Sequence, residues 1–438
     1  MANDFDPNEL RASYAAGEQP DGSFQFHSCT TPVSDTRGSF GRIPGGAQVV
    51  PIIFVPGIMG SNLKAAITIV DQNDNPVAEK NDAIWRVDTG IRMARDWLFA
   101  SKDKYQILLQ HKQVTVDDTG EIPQGFLTQS TDEPGQTRRV PTGRTPLARL
   151  NVDTARARGW GRVGAAFYFE FLDWLEYQLN SPEFDGVKEN AALTSLKHAH
   201  SDNPPGVQPD KPGVPLKSED FNKLLSVFNP VHAFGYNWLQ SNAQSGAELN
   251  ELIDRLIAKY DCNGRSCKQV ILITHSMDGL VARAACKLHG AEAKVAGVFH
   301  SVMPADGAAA TYKRMLAGFD GESPIPNLKD KVTAKVLGPT GDYTTPTLSA
   351  NPGPLELLPN ARYNQGKPWL HVKDSTGKAL VSLPKGGDPY GEIYLNQESW
   401  WKLVNEHWMN PAGMKSGGDI FIEYAKTIGA VKKFHQKL

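Results

Sequence analysis

The stretch Gln269 to Leu280, QVILITHSMDGL, constrains the chain most: an apolar, β-branched run stops at a short turn with a serine at its apex, and a helical pattern begins at once. A strand that ends abruptly before a helix forces the residue between them into a strained conformation. That residue then sits at the C-terminal edge of a sheet, against the free N–H groups of the helix. Ser276 takes that place, and Gly279, Ala282, Ala284 and Ala285 keep the following helix slim enough to lie on the strand. Measured against G-x-S-x-G, the sequence Thr274-His275-Ser276-Met277-Asp278 departs at both ends. Thr274 is small enough to allow the turn. Asp278 adds a side chain and a negative charge close to where an oxyanion would form, so Asp278→Gly is expected to raise activity or stability, with Gly279 taking over the steric role. Taken alone, the segment also fits an ordinary strand-turn-helix with an idle serine.

A second segment, Gln48 to Lys64, runs QVVPIIFVPGIMGSNLK and carries another apolar strand into Pro56-Gly57-Ile58-Met59-Gly60. Acyl transfer at a serine needs two backbone N–H groups to hold the oxyanion. One belongs to the residue after the nucleophile, here Met277, and the other to a loop after an earlier strand, here Ile58. Glycines at 57 and 60 let that loop approach a substrate carbonyl that a side chain would block. The two segments follow each other in the chain order such chemistry requires.

FVPGIMGSNL, AFGYNWLQSNAQSGAELNELID and VILITHSMDGLVARAA, in that order, resemble the α/β-hydrolase lipases related to lecithin:cholesterol acyltransferase and the bacterial PGAP1-like esterases. RGWGRVGAAFYFEFLDWLE, VFHSVMPADGAAATYKRMLAGFDG and LELLPNARY are similar to segments of the lipase effectors that Gram-negative bacteria deliver by type VI secretion. The resemblance implies a Ser-Asp-His hydrolase of phospholipid acyl esters, a phospholipase-type antibacterial effector with a secretion-apparatus carrier and an immunity protein as partners. Ser276, Ile58 and Met277 match its nucleophile and oxyanion positions.

Composition sets limits. A chain of 438 residues with 40% hydrophobic and 9% aromatic residues can bury a large core. Lysine plus arginine number 46 against 48 acidic residues, a net −2, so charge makes no case for nucleic acid. No apolar run reaches the roughly 18 residues needed to span a bilayer. The start, MANDFDPNEL, has neither the cationic nor the apolar region of a signal peptide, so synthesis in the cytoplasm and export by a specialised secretion system to a target-cell periplasm are expected. Four cysteines are too few for a disulfide framework, and Cys262 and Cys267 are read as free thiols rather than a bridge. No cluster has metal-ligand spacing, and no cofactor is expected.

Residues 1–48 read as a polar tail or docking arm, and 49–438 as one α/β-hydrolase domain with a mostly parallel, doubly wound sheet. Core strands are expected at 49–55, 231–238, 269–274 and 295–302, with helices at 245–260 and from the serine to about 288. The regions of about 61–225 and 303–365 are too long for connectors and are expected to fold over the serine as a cap or lid that makes the acyl-chain site. Within the first, Phe167, Phe171, Trp174, Leu175 and Leu179 fall at helical spacing, broadened by Phe169 and Leu172, and predict a core-facing helix. Residues 112–145 and 200–219 read as surface loops, 318–364 as a Pro-rich irregular segment, 369–383 as a hairpin, and 399–409 and 419–438 as helices.

The acid and base are not legible. Of the histidines after Ser276, His407 among Trp400, Trp401 and Trp408 is the least unfavourable candidate, and a packed structural histidine is the competing reading. Either the final strands, with acid and histidine, are not included, or the triad is completed from an unusual position. The alternatives to a lipid hydrolase are a small-ester or thioester hydrolase and a catalytically silent hydrolase-fold binding module.

Overall fold

In the computed structural model, residues 48–123, 150, 152–180, 227–319, 328–414 and 419–438 are described, together with the backbone of four strands at 17–18, 24–25, 127–133 and 136–141. The first strand of the core, Ile52–Val55 (β1), is buried at every position, as expected for a strand covered on both faces. Leu63–Ala65 (β2) follows and pairs with Ala83–Trp85 (β3) and Val114–Val116 (β4) in a small antiparallel sheet; between β3 and β4 lie helices Gly90–Trp97 (α1) and Lys102–Leu108 (α2). The helix Ala165–Asn180 (α3) precedes Val231–Ala233 (β5), which returns to the main sheet. Then come Asn242–Tyr260 (α4), Val270–His275 (β6), Asp278–His289 (α5) and Val295–Ser301 (β7). The main sheet is parallel throughout, in the order β5-β1-β6-β7. This alternation is the doubly wound α/β-hydrolase arrangement, and it puts Ser276 at the C-terminal end of β6.

The two edges of this sheet differ. At β5 the outer backbone groups are taken up by neighbouring turns. Ala233 N–H donates to Arg158 O at 2.9 Å, Trp160 Nε1–H donates to Val231 O at 2.9 Å, and Val231 N–H donates to the Glu176 carboxylate at 2.8 Å. At β7 no described residue pairs with the outer edge.

The buried face of α3 is rotated from the centre of its predicted apolar stripe, of which Leu175 and the half-buried Phe171 face the core. Phe169, Leu172 and Leu175 enter the core, whereas Phe167, Trp174 and Leu179 stand exposed. The helix is apolar around most of its circumference, so periodicity leaves its phase open; the buried Arg158–Glu176 ion pair at 2.8 Å and the Glu176 bond to β5 turn this face inward. The segment after β7 is also more regular than its prolines suggest: helices Ala309–Ala317 (α6), Leu328–Leu337 (α7) and Gly341–Leu348 (α8) pack there, and a further turn, Pro352–Leu355, starts on a proline, where no helical N–H is needed. Residues 127–133 and 136–141 form a hairpin within the segment read as loop. The hairpin Leu370–Lys373 with Ala379–Leu383 is present, and Ile420–Lys437 (α9) is helical, but of 399–409 only Glu406–Met409 is. Residues 200–219 and nearly all of 1–48 lie outside the described residues.

Candidate active site

Ser276 has φ +70°, a left-handed conformation that costs a residue with a Cβ about 1–3 kcal/mol and persists only where neighbours hold it. Three hydrogen bonds do so. Ser276 N–H donates to Ser301 O of β7 at 2.8 Å, Gly279 N–H donates to Ser276 O at 3.2 Å, and His275 N–H donates to Asp278 Oδ2 at 2.6 Å. Asp278 thus closes the turn that its presence was expected to crowd. Its side chain is fully buried, and burial pushes the carboxyl well above the usual carboxylate range, outweighing the opposing hydrogen bond from His275 N–H. Burial thus works against the anion read from sequence beside the nucleophile. The crowding falls on Gly279, where a Cβ would lie 2.3 Å from Met303 Cγ.

The loop after β1 meets this turn at Gly57. A Cβ there would lie 2.9 Å from His275 O and 3.3 Å from Ser276 Cβ, so only glycine lets the two segments touch. The Tyr168 hydroxyl of α3 bridges them, accepting from Gly57 N–H and donating to His275 Nδ1, both at 3.3 Å. Burial pushes its phenol up to about 12 and lowers the His275 imidazole. Trp85 Nε1–H donates to Met59 O at 2.8 Å, Gly164 N–H to Gly60 O at 2.9 Å, and Tyr236 N–H to Ser61 Oγ at 3.0 Å. Behind them Asn62 ties the loop to Asp88 and Val87, and Arg86 pairs with Asp88 and Asp117 in a buried network. With the loop so fixed, the N–H groups of Ile58 and Met277 have no intramolecular acceptor among the described residues. Two free, rigid donors beside a serine are what an oxyanion site requires.

Next to this loop opens a cavity of about 320 Å³, at the lower end of the range of roughly 300–1,000 Å³ for small-ligand sites. Ile58, Met59, Gly60 and Tyr168 form one wall. Trp85, Val87, Met93 and Phe167 come from the chain before β5, and Thr311, Arg314, Phe319, Leu337 and Leu357 are among those from after β7. The lining is mostly apolar, and the Arg314 guanidinium lies 5.0 Å over the Phe319 ring.

His407 is exposed on the short helix Glu406–Met409 and has no recorded contact with the serine turn. His435 on α9 is buried with both ring nitrogens engaged, Nε2–H donating to Glu356 O at 2.8 Å and Nδ1 accepting from the Tyr390 hydroxyl at 2.7 Å. Cys262, Cys267 and Cys286 are free thiols. Among the described residues no group of side chains is arranged to hold a metal ion, and no helix is long and apolar enough to cross a membrane. Sequence reasoning missed Tyr168 and Trp85, whose contacts reach the site from elements far away in the chain.

Comparison with known proteins agrees with this geometry. Residues 236–321, which include β6, the serine turn, α5 and β7, match the PGAP1-like alpha/beta domain. The solved structure of the Tle4–Tli4 complex matches with a TM-score of 0.66 at 28% identity, covering 89% of this chain and 71% of the matched one. No curated sequence matches. The chain thus carries a PGAP1-like α/β-hydrolase domain within the fold of a lipase-type ester hydrolase.

Proposed function

We propose that the chain is a serine hydrolase of phospholipid acyl esters, acting as an antibacterial effector, with Ser276 as nucleophile and the N–H groups of Ile58 and Met277 as oxyanion donors. The observation that carries this reading is the left-handed Ser276 between a loop and a turn whose Ile58 and Met277 N–H groups have no acceptor among the described residues. The serine Oγ would attack the ester carbonyl, the two N–H groups would take the charge that develops on its oxygen, and the alcohol would leave with a proton. The described parts of 61–225 and 303–365 that line the cavity serve as the cap, and the cavity takes the acyl chain. Likeness to Tle4 in its complex with Tli4 supports an effector role and an immunity protein as partner; carriage by a secretion apparatus belongs to the same reading.

The general base is not among the described contacts of Ser276. Passing from β1 through β6 to β7, the chain builds the sheet outward, and in this fold acid and histidine follow the serine in sequence.

A fluorophosphonate probe should label the wild type and not Ser276→Ala, and hydrolysis of medium- and long-chain phospholipid esters should exceed that of acetate. Equal labelling of both proteins would remove Ser276 as nucleophile, and a preference for acetate would leave a small-ester hydrolase. The missing base contact favours one second reading, a hydrolase-fold binding module, which predicts no Ser276-dependent turnover of any ester.

A further inference from the structure

We propose that the outer face of α1, together with Phe167 of α3, is the surface by which this protein lies on an anionic phospholipid membrane. Ile91, Arg95 and Phe99 recur at intervals of four along α1 and the turn after it, and Ile91 and Phe99 are 85% and 90% exposed. Met93 and Trp97 form the opposite, buried face, and Met93 lines the cavity beside the oxyanion loop. A helix is about 10 Å across, so the exposed stripe stands one helix diameter from the acyl site.

Phe167 continues the surface. It is 60% exposed and lines the same cavity. Gly164, at the entry to α3, lies against Val87, at the entry to α1: a Cβ on Gly164 would be 2.2 Å from Val87 Cγ2. Phe167 stands about one helical turn beyond that contact at the cavity, and Ile91 about one turn beyond it on the outer face of α1. Charge favours lipid headgroups. Arg92, Arg95, Lys102 and Lys104 against Asp96 and Asp103 give residues 90–104 a formal +2, where the whole chain carries −2. Large apolar side chains interleaved with arginine on a surface helix are the pattern of an interfacial membrane helix.

The proposal rests on the lipid reading of the site, but its test does not use catalysis. Full-length Ser276→Ala protein would be sedimented with vesicles of phosphatidylethanolamine and phosphatidylglycerol, and with phosphatidylcholine vesicles. Binding to the anionic vesicles should exceed that to phosphatidylcholine. Adding Ile91→Glu and Phe99→Glu should weaken it at least tenfold, with the thermal midpoint unchanged. Trp400→Glu, at a residue 73% exposed on another part of the molecule, should bind as the parent does. Four outcomes would overturn the proposal: no binding, equal binding to both lipids, equal binding by the double variant, or equal loss in Trp400→Glu. Lipid-free self-association that the double variant abolishes would assign the stripe to a second copy instead. Vesicle binding that behaves as predicted, with a wild type that no fluorophosphonate labels, would support the surface while defeating the serine-hydrolase reading.

Discussion

At Ser276 a left-handed backbone is held by a carboxyl that occupies a glycine position, and this decides what substitution there will do. Asp278→Gly would leave the His275 N–H without its acceptor in a buried turn, a loss of about 1–3 kcal/mol, so the expected result is a lower thermal midpoint and lower activity. Asp278→Asn keeps an acceptor and the shape. Because the folded carboxyl titrates well above its ordinary 3.8, the folded protein holds this proton more tightly than the unfolded chain does. The stability it contributes is complete below about pH 4 and is lost as pH rises toward the folded value. Stability of wild type minus Asp278→Asn should therefore fall as pH rises above about 4 in urea unfolding, and a flat difference would show that the fold does not raise this carboxyl. Ser276 itself was legible in sequence, because strand, turn and helix are local. Asp278's partner was not, since nothing in the sequence says which backbone N–H the end of β6 leaves open.

Among the elements, α4 shows how a buried acid can serve a helix. Glu356 sits at its N-terminus and accepts from the Ser241 hydroxyl at 2.6 Å and from Asn242 N–H and Nδ2 at 2.7 and 2.8 Å. The free N–H groups of a helix start favour such an acceptor. Burial nevertheless raises its carboxyl from 4.5 to about 7. The folded state again binds the proton more tightly, so stability falls as pH rises from about 4.5 through 7. Glu356→Gln keeps one acceptor oxygen, for Asn242, and turns the other position into a donor facing Ser241, without the charge. Wild-type stability relative to this variant should drop by on the order of 3 kcal/mol across that window, the energy of the shift. A glutamine variant with the same pH dependence as wild type would sink the assignment. The helix was predicted from its own sequence, and its N-cap is the local Ser241, whose hydroxyl accepts from Ala243 N–H, but the further acceptor for Asn242 comes from a residue over a hundred positions later. The same limit explains α3: AAFYFEFLDWLEYQLN says helix plainly, while the choice of buried face belongs to Arg158 and the edge of β5.

For the whole molecule, the strands of the main sheet could be read from sequence because each is an apolar run too short for a helix, whereas their order and the state of each edge come only from the fold. That difference has a measurable result at β7. Among the described residues its seven residues pair on one side only, and Val298, Phe299 and the following Val302 are exposed. A long apolar edge with free N–H and C=O groups is a template for another strand, and a charge on the edge is one of the devices that blocks such pairing. In a polypeptide of residues 1–438, sedimentation velocity should detect association that grows with concentration, and Phe299→Lys should suppress it. Because Phe299 is 64% exposed, the lysine should change unfolding free energy by no more than about 0.5 kcal/mol. If Phe299→Lys associates as the wild type does, β7 is not the contact.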